Sequence, residues 1–186
     1  MSRFKHSGRQ VLLVDLADYE EAVLESMVEQ LIGLLEGGDD HDTGDDPFAQ
    51  WEADMAASDD LDNSDPVIAR LFPPAYRGDD KAEQEFRRFT QNAQRRTKIE
   101  QAQLVLDALL ESNGGREAVV VRAVDADAWL KTITAIRLAL SVRLGIRTAE
   151  DIDELERLDP DEPRGVLYGM YEWLAGFLDG LVGALH

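Results

Sequence analysis

The sequence predicts a mainly helical domain with a small β-sheet. Apolar residues recur at helical spacing along most of the chain, and only two short runs, Val11-Leu12-Leu13-Val14 and Val119-Val120-Val121, read as buried strands. A length of 186 residues fits one domain over 1–186, large enough to bury a core without disulfides or metals.

Residues 3–16 read as a β-hairpin turning at Ser7-Gly8. Asp15 or Asp18 caps a helix reaching about Leu35, with Val23, Met27, Leu31 and Leu34 on one face. Gly37-Gly38 ends it, because glycine takes the left-handed conformation that a helix end needs. Residues 37–63 are rich in Asp and poor in branched apolar side chains. They bury too little surface to offset their ordering entropy, which predicts a mobile acidic loop. Within it Phe48, Trp51 and Met55 keep a helical spacing. Ser64-Asp65-Pro66 starts a short helix over 67–72, and Pro73-Pro74 ends it.

A long helical stretch follows over about 80–112 and stops at Asn113-Gly114-Gly115. Its apolar face changes partway, from Phe86, Phe89 and Ala93 to Ile99, Ala102, Leu106 and Leu109. Either the helix breaks near 91–94, or its two ends pack on different clusters. Residues 117–124 read as a strand that pairs with the hairpin. Asp125 or Asp127 then caps a helix ending at Gly145, striped by Trp129, Ile133, Ile136, Leu140 and Leu144. Leu130, Leu138 and Val142 make that helix apolar nearly all round, which places it at the centre of the fold. Thr148 and Asp151 have capping-box spacing ahead of a short acidic helix. The last helix covers about 164–185.

Composition narrows the function classes. The chain has no cysteine, which excludes disulfides, thiolate metal sites and a thiol redox switch. The formal charge is −19, and the twelve acidic residues between Glu36 and Asp65 leave −7 for the rest. Such a chain repels nucleic acid and anionic membrane at long range. The N-terminus lacks the apolar core of a signal peptide, so a cytoplasmic protein is expected. His6, His41 and His186 have no partner at metal-ligand spacing, and no nucleophile elbow, P-loop or dinucleotide fingerprint occurs. No catalytic residue, cofactor or metal is therefore expected. Asp39, Asp40, Asp42, Asp45 and Asp46 surround Gly44, but His41, Thr43 and Gln50 occupy positions where a calcium loop needs oxygen ligands of another kind.

Three features bear on partners. Arg87, Arg88, Arg95, Arg96 and Lys98 form a basic cluster with no acid from 86 to 99. On a continuous helix they oppose Phe86 and Phe89, which predicts an exposed face for phosphate or an acidic protein surface. Leu144-Gly145-Ile146 before the Thr148 helix has the outline of a helix-turn-helix. Its second helix carries Glu150, Asp151, Asp153, Glu154 and Glu156, charges that phosphates would repel, so direct DNA binding is not expected. In the last helix Leu167, Met170, Leu174, Phe177, Leu181 and Leu185 form one stripe, and Gly165, Gly169, Gly176, Gly180 and Gly183 form another on the opposite face. A helix-interior glycine costs about 1 kcal/mol relative to alanine. The glycine stripe thus predicts close packing, inside the domain or across a homodimer seam. Glu172 lies in the stripe and, if buried, would need Arg137 or Arg143 as a partner. The run of about 20 apolar residues is long enough to span a bilayer. Its two acids, with no basic residue following, argue against a span.

Several segments together resemble one actinobacterial family. They are residues 65–73 (Asp-Pro-Val-Ile-Ala-Arg-Leu-Phe-Pro) with Ala75-Tyr76-Arg77, residues 85–90 (Glu-Phe-Arg-Arg-Phe-Thr), Ala128-Trp129-Leu130, Arg137-Leu138, Arg143-Leu144-Gly145-Ile146 and Tyr171-Glu172-Trp173-Leu174. The family is domain of unknown function 2017, and the resemblance covers most of the chain outside the acidic loop. It implies a cytoplasmic, mainly helical protein without known enzymatic activity. Some relatives carry the name AosR, for an oxidative-stress transcriptional regulator, and in those a cysteine pair is taken as the redox sensor. A chain without cysteine cannot use that sensor. A regulatory role would then run through protein contacts, with the transcription machinery as one class of partner.

Overall fold

Strand β2 (Val11–Val14) is the centre of a three-stranded antiparallel sheet in the computed structural model, which describes residues 4–6, 11–36, 65–73 and 92–185. Strand β1 (Phe4–His6) pairs with it, Phe4 opposite Val14 and His6 opposite Leu12. Strand β3 (Val119–Arg122) pairs on its other edge, Val119 opposite Val14. The strand near 117–124 therefore joins the hairpin as its sequence predicts. Side chains alternate across a strand, and in β3 Val119 and Val121 are buried while Val120 and Arg122 are exposed.

Six helices complete the described residues: α1 (Asp18–Glu36), α2 (Pro66–Leu71), α3 (Asn92–Leu110), α4 (Ala126–Arg143), α5 (Ala149–Leu155) and α6 (Pro163–Leu185). Helix α4 is the hub and touches α1, α2, α3, α6 and β3. Its predicted stripe is buried at every position, Trp129 and Ile133 completely. Trp129 stacks on Phe177 of α6 with ring centres 6.2 Å apart, and Phe4 meets the same ring edge-on at 5.5 Å. One aromatic cluster thus ties the sheet, the central helix and the last helix together.

Local chemistry sets the helix ends. The Asp65 carboxylate accepts from the Val67 N–H at 2.8 Å, and proline occupies the first turn of α2. Gly145 sits at φ +75°; its N–H reaches the Val142 carbonyl and the Ile146 N–H reaches Ser141, closing α4 with a Schellman motif. The Asp151 carboxylate accepts from the Thr148 N–H at 2.7 Å while the Thr148 hydroxyl accepts from the Asp151 N–H at 3.4 Å, the expected capping box.

Some expectations shift. The buried face of α1 centres on Leu24, Val28, Leu31 and Leu35, leaving Val23 and Leu34 half-buried at its margin. Asp125 precedes α4 without capping it, because its carboxylate is taken by the Arg122 guanidinium at 2.5 Å. Ala93 is exposed, so the described part of α3 presents a single core face of Ala102, Val105, Leu106 and Leu109. The acidic stretch 37–63, the calcium-loop reading within it, His41, Phe86 and Phe89, and the site of any helix break before 92 lie outside the described residues.

Candidate functional site

Helix α3 begins its inward-facing side with cations. Residues 95, 98 and 102 lie on neighbouring turns of one face, and that face continues into fully buried Ala102, Val105 and Leu109. Arg95 and Lys98 are half-buried in consequence, where the sequence predicts full exposure. The reason lies in tertiary packing. Phe72, which follows α2, places its buried ring under Lys98, the ammonium 5.8 Å from the ring centre. Arg96, one residue off this face, is exposed as predicted. Arg87 and Arg88 lie outside the described residues.

Among the described residues, the surroundings of Lys98 are short of negative charge. Burial, and then the neighbouring charge of Lys131 on α4, hold its ammonium pKa below the usual lysine value. Lys131 itself pairs with Asp127 at 2.7 Å. Arg95 Nε is closed to solvent and has no hydrogen-bond partner among the described residues. Arg70, in the last turn of α2, is exposed. Among the described residues no carboxylate pairs with Arg70, Arg95, Arg96 or Lys98. Phe72 and Lys131 escaped the sequence reading, since nothing local reveals that α2 and α4 meet α3 at Lys98.

The glycine stripe of α6 divides in two. A Cβ on Gly165 would sit 2.0 Å from the Asp159 carbonyl oxygen, and one on Gly180 would sit 2.2 Å from the Phe4 ring. Gly169, Gly176 and Gly183 are exposed, with no described atom within 4 Å of such a Cβ. Intradomain packing explains the first two glycines only. Glu172 is exposed, so the expected condition for a buried ion pair with Arg137 or Arg143 does not arise. Arg137 instead lies 4.5 Å from the centre of the Tyr171 ring. Arg143 lines a cleft between α1 and α4 with Met27, Leu31, Leu34 and Ile136, and burial pushes its pKa down to about 10.

A polar seam absent from the sequence reading joins α1, α6 and the end of α3. Glu20 accepts from the Trp173 indole at 2.9 Å and from the Ala17 N–H at 3.0 Å. Glu21, 1 % exposed, lies 2.5 Å from the Ser112 hydroxyl, which is also 2.7 Å from the Leu109 carbonyl. A single hydroxyl proton serves only one of those acceptors. Among the described residues no group of histidine and carboxylate side chains could hold a metal ion, and no helix is long and apolar enough to cross a membrane.

Comparison with known proteins gives one family and one name. The family described as domain of unknown function (DUF2017) matches residues 1–185. The chain is 30% identical over 185 residues to the putative oxidative stress regulator AosR of Mycobacterium leprae, covering 91% of this chain and 80% of that protein. It is 27% identical over 179 residues to the oxidative stress regulator AosR of Mycobacterium tuberculosis and to that of Mycobacterium bovis, covering 90% of this chain and 78% of each relative. No solved structure matches the chain.

Proposed function

Because this chain belongs to the DUF2017 family, whose mycobacterial relatives are named oxidative stress regulators, we propose that it is a non-enzymatic cytoplasmic regulator acting by protein–protein contact. Its setting is transcriptional or stress regulation. The chain contains no cysteine, so the signal reaches it through a route other than its own thiols. The observation that carries the contact surface is the charge of Arg95, Arg96 and Lys98 on α3, unpaired among the described residues of a chain with twice as many acids as bases.

Affinity capture of host proteins at moderate salt, with identification by mass spectrometry, tests this reading. A component of the transcription machinery is expected. Charge reversal at Arg95 and Arg96 together with Arg87 and Arg88 should abolish its capture while the domain stays folded. Capture that survives the reversal removes the basic face from the reading.

A second reading is a homodimeric assembly module, favoured by the exposed row of Gly169, Gly176 and Gly183. Gly176→Leu with Gly183→Leu then yields folded monomers in light scattering, whereas an unaltered dimer rules out that seam. Gly180 is unsuitable for this test because it faces Phe4 inside the domain.

A further inference from the structure

We infer that Lys98, with Arg95 and Lys131 beside it, is a receptor for the carboxylate side chains of an acidic peptide segment; this deepens, and rests on, the protein-contact reading. Three elements supply the cluster. Lys98 and Arg95 are one turn apart on α3. Phe72, whose ring supports Lys98, follows directly on α2. Lys131 comes from α4, and its charge is felt at Lys98. The site is therefore a product of tertiary packing, and no single charged helix face accounts for it.

Charge bookkeeping argues that the cluster is kept open. The chain carries 38 acidic residues against 19 Lys and Arg, so intramolecular partners are plentiful. Lys5, Arg122 and Lys131 each pair with one. Arg70, Arg95 and Lys98 have none among the described residues. Half-buried cations without counter-charges cost stability, and an incoming carboxylate offsets that cost. Among the described residues Arg95 Nε, a charged-group donor shut off from solvent, has no acceptor, which adds to that cost. Partial burial also lowers the effective dielectric, which strengthens each charge–carboxylate contact relative to the open surface.

The same observations favour a peptide over a nucleic acid. Arg95 and Lys98 are half-buried, Lys98 over a buried ring, and such recessed cations admit side-chain carboxylates that reach inward. A duplex lays its phosphates along a broad, regular ridge, and a chain of net charge −19 repels that ridge at long range.

Fluorescence anisotropy with the full chain tests the receptor. The probe is a labelled oligo-glutamate of about ten residues, and an oligodeoxythymidine of equal length is the rival polyanion. Saturable binding of oligo-glutamate that weakens with salt is expected. Lys98→Gln and Arg95→Gln should each weaken it several-fold, and together about tenfold or more. Arg147→Gln and Arg157→Gln, at exposed positions flanking α5, should leave it unchanged. Absence of saturable binding, an equal loss in the Arg147 and Arg157 variants, or tighter binding of oligodeoxythymidine would overturn the proposal. If Arg95→Gln does not fold, Lys98→Met carries the test, since its unbranched apolar chain can lie on the same Phe72 ring. A protein captured from extract that binds Lys98→Gln as well as wild type overturns the receptor and leaves the broader protein-contact reading in place.

Discussion

The indole N–H of Trp173 donates to the Glu20 carboxylate at 2.9 Å, joining residues 153 positions apart in sequence. Glu20 simultaneously receives the Ala17 N–H at the start of α1, so one buried carboxylate fixes both the first turn of α1 and the angle of α6. A hydrogen bond to a charged group contributes about 1.5–3 kcal/mol, and more is lost when a buried acceptor is stranded. Trp173→Phe keeps a ring against Phe177, whose centre lies 5.7 Å away, but removes the donor. Urea unfolding should show a loss of about 1.5–3 kcal/mol at pH 7. A loss below about 0.5 kcal/mol would mean that the contact contributes little.

This seam shows where sequence reading stops. Glu20 and Glu21 stand in the first turn of a helix, where acids are ordinarily solvated partners of the helix dipole. Only the approach of Trp173 and Ser112 buries them. The α4 stripe from Trp129 to Leu144 was legible because five large apolar residues at one period outweigh every local alternative. The strands were legible from their branched apolar runs. The basic cluster was visible as composition, but its depth was not. Whether Lys98 is solvated or recessed depends on Phe72, which arrives from α2. The glycine stripe likewise concealed two environments, since Phe4 comes from the opposite end of the chain.

Those two environments predict opposite signs for one substitution. At Gly176 an added methyl meets no described atom, and a helix-interior alanine is favoured over glycine by about 1 kcal/mol. Gly176→Ala should raise the melting temperature by a few degrees. At Gly180 the same methyl overlaps the Phe4 ring, itself held edge-on to Phe177. Overpacking of this kind costs about 1–3 kcal/mol, so Gly180→Ala should lower the melting temperature despite its better helix propensity. Equal gains at both positions would show that β1 yields easily.

Asp151 offers a local test of α5. Its carboxylate accepts the Arg147 N–H at 2.8 Å and the Thr148 N–H at 2.7 Å, and these bonds hold its pKa below the ordinary value of 3.8. A carboxyl whose folded pKa is depressed stabilises the fold above its unfolded value, and that stability disappears as pH falls through the folded pKa. Carbon-detected NMR titration should place the Asp151 midpoint below the ordinary value of 3.8. A midpoint at or above 3.8 would mean that the capping box is frayed in solution.

Lys98 should show the opposite linkage. Burial, followed by the charge of Lys131, lowers its pKa from the usual 10.5. For a base, a lowered folded pKa means that the charged form is held at a cost. The cost is fully present below the folded pKa and fades as pH rises towards the unfolded value near 10.5. Lys98→Met removes the charge and leaves an unbranched apolar chain on the Phe72 ring, at the loss of the cation–π contact. If desolvation outweighs that contact, the variant melts higher than wild type at neutral pH, and the gain shrinks as pH approaches 10.5. The same variant should bind oligo-glutamate several-fold more weakly, so stability and binding would move in opposite directions, the usual mark of a site kept for function. Thermal melts across this pH range, set beside the anisotropy titration, decide the matter. A variant that melts lower at neutral pH would make Lys98 a structural cap on Phe72 instead of a poised charge.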